Sequence, residues 1–147
     1  MERCYETCDD ICMQLMRALE IGLEVEKGSL TRRCILSASD LRLNRCPALG
    51  IQDLRDGSVS RVSPHTEFGV IPLLLQDEIG GLEIEDRTRP NSFLPMAPRQ
   101  TEMIVNASDA LQRWTNGVLR AGVHRVTIPH GMKEKGDAVL PGRFSMA

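Results

Sequence analysis

From about residue 30 onward, the chain repeats one pattern: a short apolar segment followed by turn residues, every eight to twelve positions. Short strands at this spacing predict a β-sandwich or a β-barrel. Gly80-Gly81 marks one turn. Asn116-Gly117 predicts a β-hairpin, because both central positions of a type I′ turn need a positive φ. The apolar segments are residues 41–44, 59–68, 69–75, 81–85, 93–96, 103–106, 111–114 and 122–128.

The first 25 residues follow a helical period instead. Apolar side chains recur at the i, i+3, i+4 and i+7 spacing of one buried helix face. Polar side chains, including Arg17 and Glu20, fill the other face, and Lys27-Gly28-Ser29 then breaks the pattern. We therefore expect one amphipathic helix. Its predicted apolar face contains Cys8, Ile11, Cys12, Leu15, Leu19 and Leu23.

Length and charge exclude several classes of protein. A chain of 147 residues is about one domain, and its 18 basic and 20 acidic residues give a net charge of -2. This balance lacks the basic footprint of a nucleic-acid-binding protein. The longest apolar run, residues 69–75, is far shorter than the roughly 20 residues that span a bilayer. With no signal-peptide pattern at the N-terminus, we expect a cytoplasmic location without membrane or nucleic-acid partners.

Five cysteines fit the same compartment. Cys4, Cys8 and Cys12 share one helical pattern, while Cys34 and Cys46 stand alone. The count is odd and no Cys-x-x-Cys pair occurs, so neither a disulfide framework nor a zinc knuckle is indicated. We expect free thiols.

Two of the three histidines belong to a candidate metal site. On a strand, residues i and i+2 point to one face, so His65 and Glu67 would present an imidazole beside a carboxylate. His124 lies in a later strand-like segment. Two imidazoles and one carboxylate leave three coordination positions open, which suits non-haem Fe(II). The spacing alone also allows hydrogen-bonded core histidines and a surface carboxylate. His130, between proline and glycine, is interpreted as a loop residue.

Several segments together carry a family signature. Residues 65–69 read His-Thr-Glu-Phe-Gly, residues 80–84 read Gly-Gly-Leu-Glu-Ile, and residues 112–117 read Gln-Arg-Trp-Thr-Asn-Gly. Val-His-Arg-Val follows at residues 123–126 and Arg-Phe-Ser at residues 143–145. In order and spacing, from about residue 41 to residue 146, the chain resembles the 2-oxoglutarate- and Fe(II)-dependent dioxygenases of the isopenicillin N synthase-like branch.

The resemblance implies a fold and a division of roles. The fold would be mainly β, a double-stranded β-helix (jelly roll) with the N-terminal amphipathic helix packed on it. His65, Glu67 and His124 would hold Fe(II). Arg143 would pair with the far carboxylate of 2-oxoglutarate through its rigid fork of donors. Ser145 and Asn44 would lie beside this cosubstrate.

The implied reaction is that of an oxidoreductase. A small organic substrate would be oxidised with O2, while 2-oxoglutarate would be converted to succinate and CO2. By the same resemblance, residues 1–30 would form a backing helix, and residues 31–147 would form the dioxygenase domain. Family members are about twice as long, so the chain is expected to be incomplete at both ends relative to them.

Two residues differ from the family pattern. Position 67 is glutamate where this branch usually has aspartate, and Cys46 stands where it has tyrosine. Two alternatives therefore stay open: a truncated, catalytically inactive relic of such an enzyme, and a non-catalytic jelly-roll binding module.

Overall fold

The computed structural model describes residues 2–35, 39–134, 136 and 138–147. The chain divides into two units, Met1–Arg42 and Leu43–Ala147. The domain boundary that the sequence suggested at residue 30 stays a prediction.

The first unit consists of the expected helix and a short second one. Helix α1 spans Glu2–Gly22, and a 3₁₀ helix spans Thr31–Cys34. The predicted amphipathic helix is therefore present. The prediction that it packs on the β-rich part of the chain stays a prediction. None of the described helices is long and apolar enough to cross a membrane.

The predicted assignment of Glu20 to the polar face of α1 is wrong. Glu20 is only 3% exposed, and with Met16 it is one of the two buried residues of the helix. Its carboxylate accepts hydrogen bonds from the backbone N–H groups of Gly28, Leu30 and Thr31, at 2.8 to 2.9 Å. The loop folds back so that its N–H groups meet the carboxylate, which periodicity along the helix could not indicate. The six residues of the predicted apolar face are half-buried.

The second unit holds ten short strands, two short helices and one 3₁₀ helix, His130–Met132, within its described residues. The helices are α2 (Ile51–Arg55) and α3 (Asp109–Trp114). The strands are β1 (Leu43–Cys46), β2 (Leu49–Gly50), β3 (Val62–His65), β4 (Leu73–Gln76), β5 (Leu82–Glu85), β6 (Phe93–Pro95), β7 (Ile104–Val105), β8 (His124–Val126), β9 (Val139–Leu140) and β10 (Arg143–Met146).

Two four-stranded antiparallel sheets form the expected jelly roll. One has the order β1-β10-β4-β7 and the other β3-β8-β5-β6, while β2 and β9 form a separate pair. Apart from β5 and β6, neighbouring strands in these two sheets are not consecutive in sequence, as expected for a jelly roll. Ile51, Ile128 and Leu140 form a buried apolar cluster that Leu54 and Met132 partly cover.

Gly81 fixes the entry into β5. Its φ is +88°, and a Cβ at this position would lie 2.3 Å from the carbonyl oxygen of Thr127. The carbonyl of Gly81 accepts a hydrogen bond from the N–H of Thr127 at 2.8 Å. Only glycine allows this approach, which sets β5 beside β8. The predicted turn at Gly80-Gly81 is confirmed, since both residues have positive φ.

The hairpin predicted at Asn116-Gly117 is wrong, and so is the strand predicted at residues 111–114. Residues 109–114 form α3. Asn116 and Gly117 do have positive φ, of 50° and 80°. Gly117 N–H donates to the carbonyl of Gln112 at 2.8 Å, which ends the helix. A left-handed pair suits a helix C-terminus as well as a hairpin, and a short apolar segment does not distinguish helix from strand.

Candidate metal and cosubstrate site

His65, Glu67 and His124 converge in space. Oε1 of Glu67 lies 3.6 Å from Nε2 of His65 and 3.7 Å from Nε2 of His124. The two imidazole rings have centroids 4.3 Å apart and are tilted by 50°. One ligand atom from each residue lies within 4.8 Å of the others, so the three residues could hold a metal ion. All three side chains are half-buried.

Strand pairing brings the two histidines together. His65 is the last residue of β3 and stands directly opposite His124, the first residue of β8. The register shifts by a bulge between Val62 and His65. Bulges redirect side chains at the ends of strands, and directly opposed residues share one face of a sheet. The two histidines are 59 positions apart in sequence, and one antiparallel strand pair brings them together.

Glu67 lies two residues beyond β3 and is held from behind by α3. Its backbone carbonyl accepts a hydrogen bond from the N–H of Asp109, the first residue of α3, at 2.8 Å. Thr66 donates through Oγ1 to Oδ2 of the same aspartate at 3.0 Å. The polypeptide on both sides of the carboxylate is thus fixed, while its side chain stays free to turn toward the imidazoles.

Both imidazoles are oriented by backbone carbonyls. Nδ1 of His65 lies 2.9 Å from the carbonyl oxygen of Ser63, and Nδ1 of His124 lies 3.1 Å from that of Gly122. Because a carbonyl only accepts, each Nδ1 carries the proton. In the neutral form of each ring, Nε2 then presents a lone pair, which is the tautomer that a metal ligand needs.

The donor set fits Fe(II). Two atoms about 2.1 Å from one ion at right angles are about 3 Å apart, so the Nε2–Oε1 distances need to shorten by well under 1 Å. Two imidazoles and a carboxylate on one side of an ion leave positions for other ligands, as in non-haem iron sites.

Asn106 and Gly122 support His124 from the side. Nδ2 of Asn106 donates to the carbonyl of Gly122 at 3.1 Å and lies 3.5 Å from Nδ1 of His124. A Cβ on Gly122 would lie 2.3 Å from Oδ1 of Asn106, so a larger residue there would displace the Asn106 side chain. Sequence reasoning assigned no role to these two residues, because their contact joins segments 16 residues apart.

A cavity of about 290 Å³ lies beside Gly122 and Val123, the two residues that precede His124. Its lining includes Asn106 and Gly122, and Ile84 stands opposite His124 in the sheet. Leu94, which pairs with Ile84, adds a second apolar side chain, and Arg120 adds a cation. The volume is near the lower end for ligand pockets, which suits a small molecule.

Arg143 lies on β10 in the other sheet and is only 2% exposed. Its Nη1 donates to Oγ of Ser145 at 3.2 Å, and its Nη2 donates to Oε1 of Gln76 at 3.0 Å. The Nε atom is buried without a hydrogen-bond partner. Burial lowers the pKa of Arg143, and the nearby Cys46 and Asp77 oppose that shift. No carboxylate among the described residues forms an ion pair with it.

The residues around Arg143 share one face of their sheet. Cys46 stands opposite Arg143, and Asn44 stands opposite Ser145. Gln76 pairs with Ser145 from the other side. Asn44 is exposed, so its role in cosubstrate binding stays a prediction. Gln76 was missed by sequence reasoning, although a polar residue ending the apolar segment 70–75 is a signal that could have found it.

A charged cluster lies at the pairing of β5 with β8, the strand that carries His124. Glu83 on β5 is 3% exposed and pairs with Arg125 on β8. Arg125 donates to one carboxylate oxygen at 2.7 and 2.8 Å, and Lys133 donates to the other at 2.9 Å. Burial raises the pKa of Glu83, but the hydrogen bonds from Lys133 and Arg125 outweigh it and lower the pKa overall. The guanidinium of Arg125 also stacks 4.0 Å above the ring of Phe93.

Known proteins resemble this chain in sequence. The 2-oxoglutarate-dependent dioxygenase ecdK of Aspergillus rugulosus is 45% identical over 148 aligned residues, which cover 100% of this chain and 45% of the relative. The 2-oxoglutarate-dependent dioxygenase imqE of Aspergillus flavus is 47% identical, with 100% and 41% covered. The chain therefore spans less than half the length of these curated relatives.

A solved structure agrees in fold. Full-length T7H of Neurospora crassa, crystallised with alpha-KG and 5-formyluracil, superposes with a TM-score of 0.86 at 29% identity. The match covers 98% of this chain and 45% of that one. The model of the 2OG-Fe(II) oxygenase superfamily matches residues 39–147, which contain the three converging residues and Arg143. The chain belongs to this superfamily, whose cofactors are Fe(II) and 2-oxoglutarate.

Proposed function

We propose that this chain carries the iron- and 2-oxoglutarate-binding core of a dioxygenase. This enzyme would oxidise a small organic substrate with O2 and yield succinate and CO2. The observation that supports this proposal most directly is the convergence of His65, Glu67 and His124, with both Nε2 atoms within 3.7 Å of Oε1 of Glu67. In this proposal these three residues are the metal ligands.

The residues of the chain bind and orient. Ser63 and Gly122 hold the imidazoles in the tautomer that leaves Nε2 free. Arg143 anchors the distal carboxylate of 2-oxoglutarate, with Ser145 beside it and Asn44 at the edge of the site. The bound Fe(II) supplies the redox chemistry that couples loss of CO2 from 2-oxoglutarate to oxidation of a substrate C–H bond.

The substrate side of the proposal rests on the cavity beside His124. Its size and its apolar pair, Ile84 and Leu94, suit a small organic molecule. The names of relatives point the same way: one is a proline hydroxylase from Petromyces alliaceus, 42% identical. We also propose a cytoplasmic location, because free thiols such as these five are typical of a reducing compartment.

Anaerobic titration with Fe(II) tests the metal site. We expect the wild-type chain to bind one ion, and Glu67→Ala to lower its affinity at least 100-fold by removing the only carboxylate of the set. Glu67→Asp should preserve binding, because the shorter acid is the usual residue of the resembling branch. His130→Ala is the matched control, since it removes an exposed histidine outside the site. Equal affinities in all four proteins would refute the metal site.

Turnover separates an enzyme from an inactive relic. The Fe(II)-loaded chain, given O2 and 2-oxoglutarate, should release succinate, and Glu67→Ala should not. Iron and 2-oxoglutarate binding without any succinate would support the inactive alternative. Absence of both would support the non-catalytic jelly-roll module.

A further inference from the structure

Arg61 lies immediately before β3 and reaches the opposite sheet. Its Nη2 donates to the carbonyl of Pro47 at 3.3 Å and also to the carbonyl of Pro141. Pro47 follows β1, and Pro141 precedes β10 by two residues. Cys46, the last residue of β1, pairs with Arg143, the first residue of β10. The guanidinium of Arg61 is thus held at the end of the sheet where Arg143 lies.

Most donors of this guanidinium are buried without a partner. Nε and Nη1 of Arg61 make no hydrogen bond among the described residues, and neither does Nε of Arg143. Nε2 of Gln76, whose Oε1 binds Arg143, is unpartnered as well. Buried donors are almost always satisfied in native proteins, so these four donor nitrogens in one region need an acceptor.

The charges in this region are also unbalanced. The charge of Arg143 acts on Arg61 and opposes it, so the two cations are close enough to repel. Burial lowers the pKa of Arg61, with Cys46 and Asp77 acting in the other direction. Both oxygens of Asp77 accept from backbone N–H groups, those of Ile79 and Phe144. No described carboxylate forms an ion pair with either arginine. Arg143 is buried and Arg61 is half-buried, and an unpaired buried cation is costly.

We propose that Arg61 is a second cationic anchor for the distal carboxylate of 2-oxoglutarate, acting together with Arg143. The inference rests on the proposed function, because it assigns the missing anion to the cosubstrate. Nη2 of Arg61 is fixed by the two proline carbonyls, which leaves Nε and Nη1 as donors. A carboxylate has two oxygens and about four acceptor positions, enough for donors from both guanidinium groups.

A pair of ligands tests the contact. 2-Oxopentanoate keeps the chelating 2-oxo acid and the five-carbon chain of 2-oxoglutarate but lacks its distal carboxylate. Anaerobic calorimetry on the Fe(II)-loaded chain should show that Arg61→Gln weakens 2-oxoglutarate binding at least tenfold. The affinity for 2-oxopentanoate and for Fe(II) should stay within twofold of the wild type. Arg61→Lys, which keeps the charge but loses the fork, should give a smaller loss.

Arg45→Gln is the matched control. Arg45 lies on β1, on the face opposite to Cys46, and its side chain is exposed, so this variant removes one positive charge without touching the site. Its affinity for 2-oxoglutarate should stay within twofold of the wild type.

The outcomes separate this inference from the proposed function. If Arg61→Gln weakens both ligands equally, or neither, Arg61 only clamps the two proline carbonyls and the inference is wrong. If the wild type itself fails to prefer 2-oxoglutarate over 2-oxopentanoate, the proposed cosubstrate site fails, and the inference fails with it. Should Arg61→Gln not fold, the comparison of the two ligands in Arg61→Lys decides instead. A loss confined to 2-oxoglutarate supports the inference, and any other pattern overturns it.

Discussion

Two buried charged clusters lie in the β-rich unit, and they differ in how their charges are matched. Around Glu83, one buried carboxylate meets Arg125 and Lys133, and both of its oxygens are used. Around Arg143, a guanidinium that is equally buried donates hydrogen bonds to two neutral side chains, those of Ser145 and Gln76. The charges of the first cluster are paired within the chain. Arg143 forms no ion pair with a carboxylate among the described residues.

The difference teaches what each cluster contributes. A matched buried ion pair ties two strands together, and its removal is felt as a loss of stability. An unmatched buried cation lowers the stability of the ligand-free protein, and binding of an anionic ligand restores that stability. We therefore interpret the Glu83 cluster as structural, because it holds β5 against β8, the strand that carries His124. We interpret the Arg143 cluster as a binding site.

The largest effect is expected at Glu83. Glu83→Ala should lower the free energy of unfolding by about 3 kcal/mol, because it removes the shared acceptor of two cations. Chemical denaturation measures this change. Glu78→Ala, which removes an exposed carboxylate near the start of β5, should change the free energy by no more than about 0.5 kcal/mol. Equal effects of the two variants would show that the Glu83 cluster is no stronger than a surface pair.

Arg143→Met should give the opposite pattern. Without ligand, its free energy of unfolding should stay within about 1 kcal/mol of the wild type, since an apolar side chain replaces an unpaired buried cation. Its affinity for 2-oxoglutarate should fall about 100-fold, equivalent to about 2.7 kcal/mol. Arg143→Lys should also bind 2-oxoglutarate more weakly while Fe(II) binding is kept. A loss of more than about 3 kcal/mol in ligand-free stability would place Arg143 with Glu83, as a structural residue.

Ligand-induced stabilisation compares the two clusters in one experiment. With Fe(II) bound, 2-oxoglutarate at ten times its Kd should raise the free energy of unfolding of the wild type by about 1.4 kcal/mol. Glu83→Ala starts from a lower stability but should show the same gain at the wild-type ligand concentration, because its affinity for 2-oxoglutarate should be unchanged. Arg143→Met, at the wild-type ligand concentration, should show almost none. A gain that disappears in Glu83→Ala would mean that the two clusters are coupled.

The candidate metal ligands could be identified from the sequence because most of their signal is local. His65 and Glu67 are two positions apart, and the surrounding residues resemble a known family. Arg61 carries no comparable signal, and Gln76 carries only that of a polar residue ending an apolar segment. Their contacts join segments more than 60 residues apart in sequence. The same limit applies to Asn106, whose partner is the backbone of Gly122.

Errors in the predicted fold also have physical causes. Residues 111–114 are apolar over too short a span for either period to dominate, and tertiary contacts made them helical. The positive φ of Asn116 and Gly117 was correctly predicted, yet it ends a helix here. The regular spacing of short strands predicted a sandwich or a barrel, and the resemblance to the dioxygenase family then implied the jelly roll.

The smallest expected effect concerns Glu20, a buried carboxylate that accepts hydrogen bonds from backbone N–H groups instead of pairing with cations. Hydrogen bonds from the backbone of Thr31 and then of Gly28 lower the pKa of Glu20 to about 2, against a slight rise caused by burial. The bonds stabilise the folded state while the carboxylate is ionised. This contribution is therefore fully present above about pH 4.5, the ordinary value, and is lost as the pH falls toward about 2.

In NMR spectra recorded from pH 6 to pH 4, the amide proton shifts of Gly28, Leu30 and Thr31 should stay constant. In Glu20→Gln these shifts should differ from those of the wild type at every pH in that range, because a neutral amide accepts more weakly than a carboxylate. Amide shifts that titrate with a midpoint near 4.5 would contradict the prediction, because they would show that the carboxylate does not hold this loop.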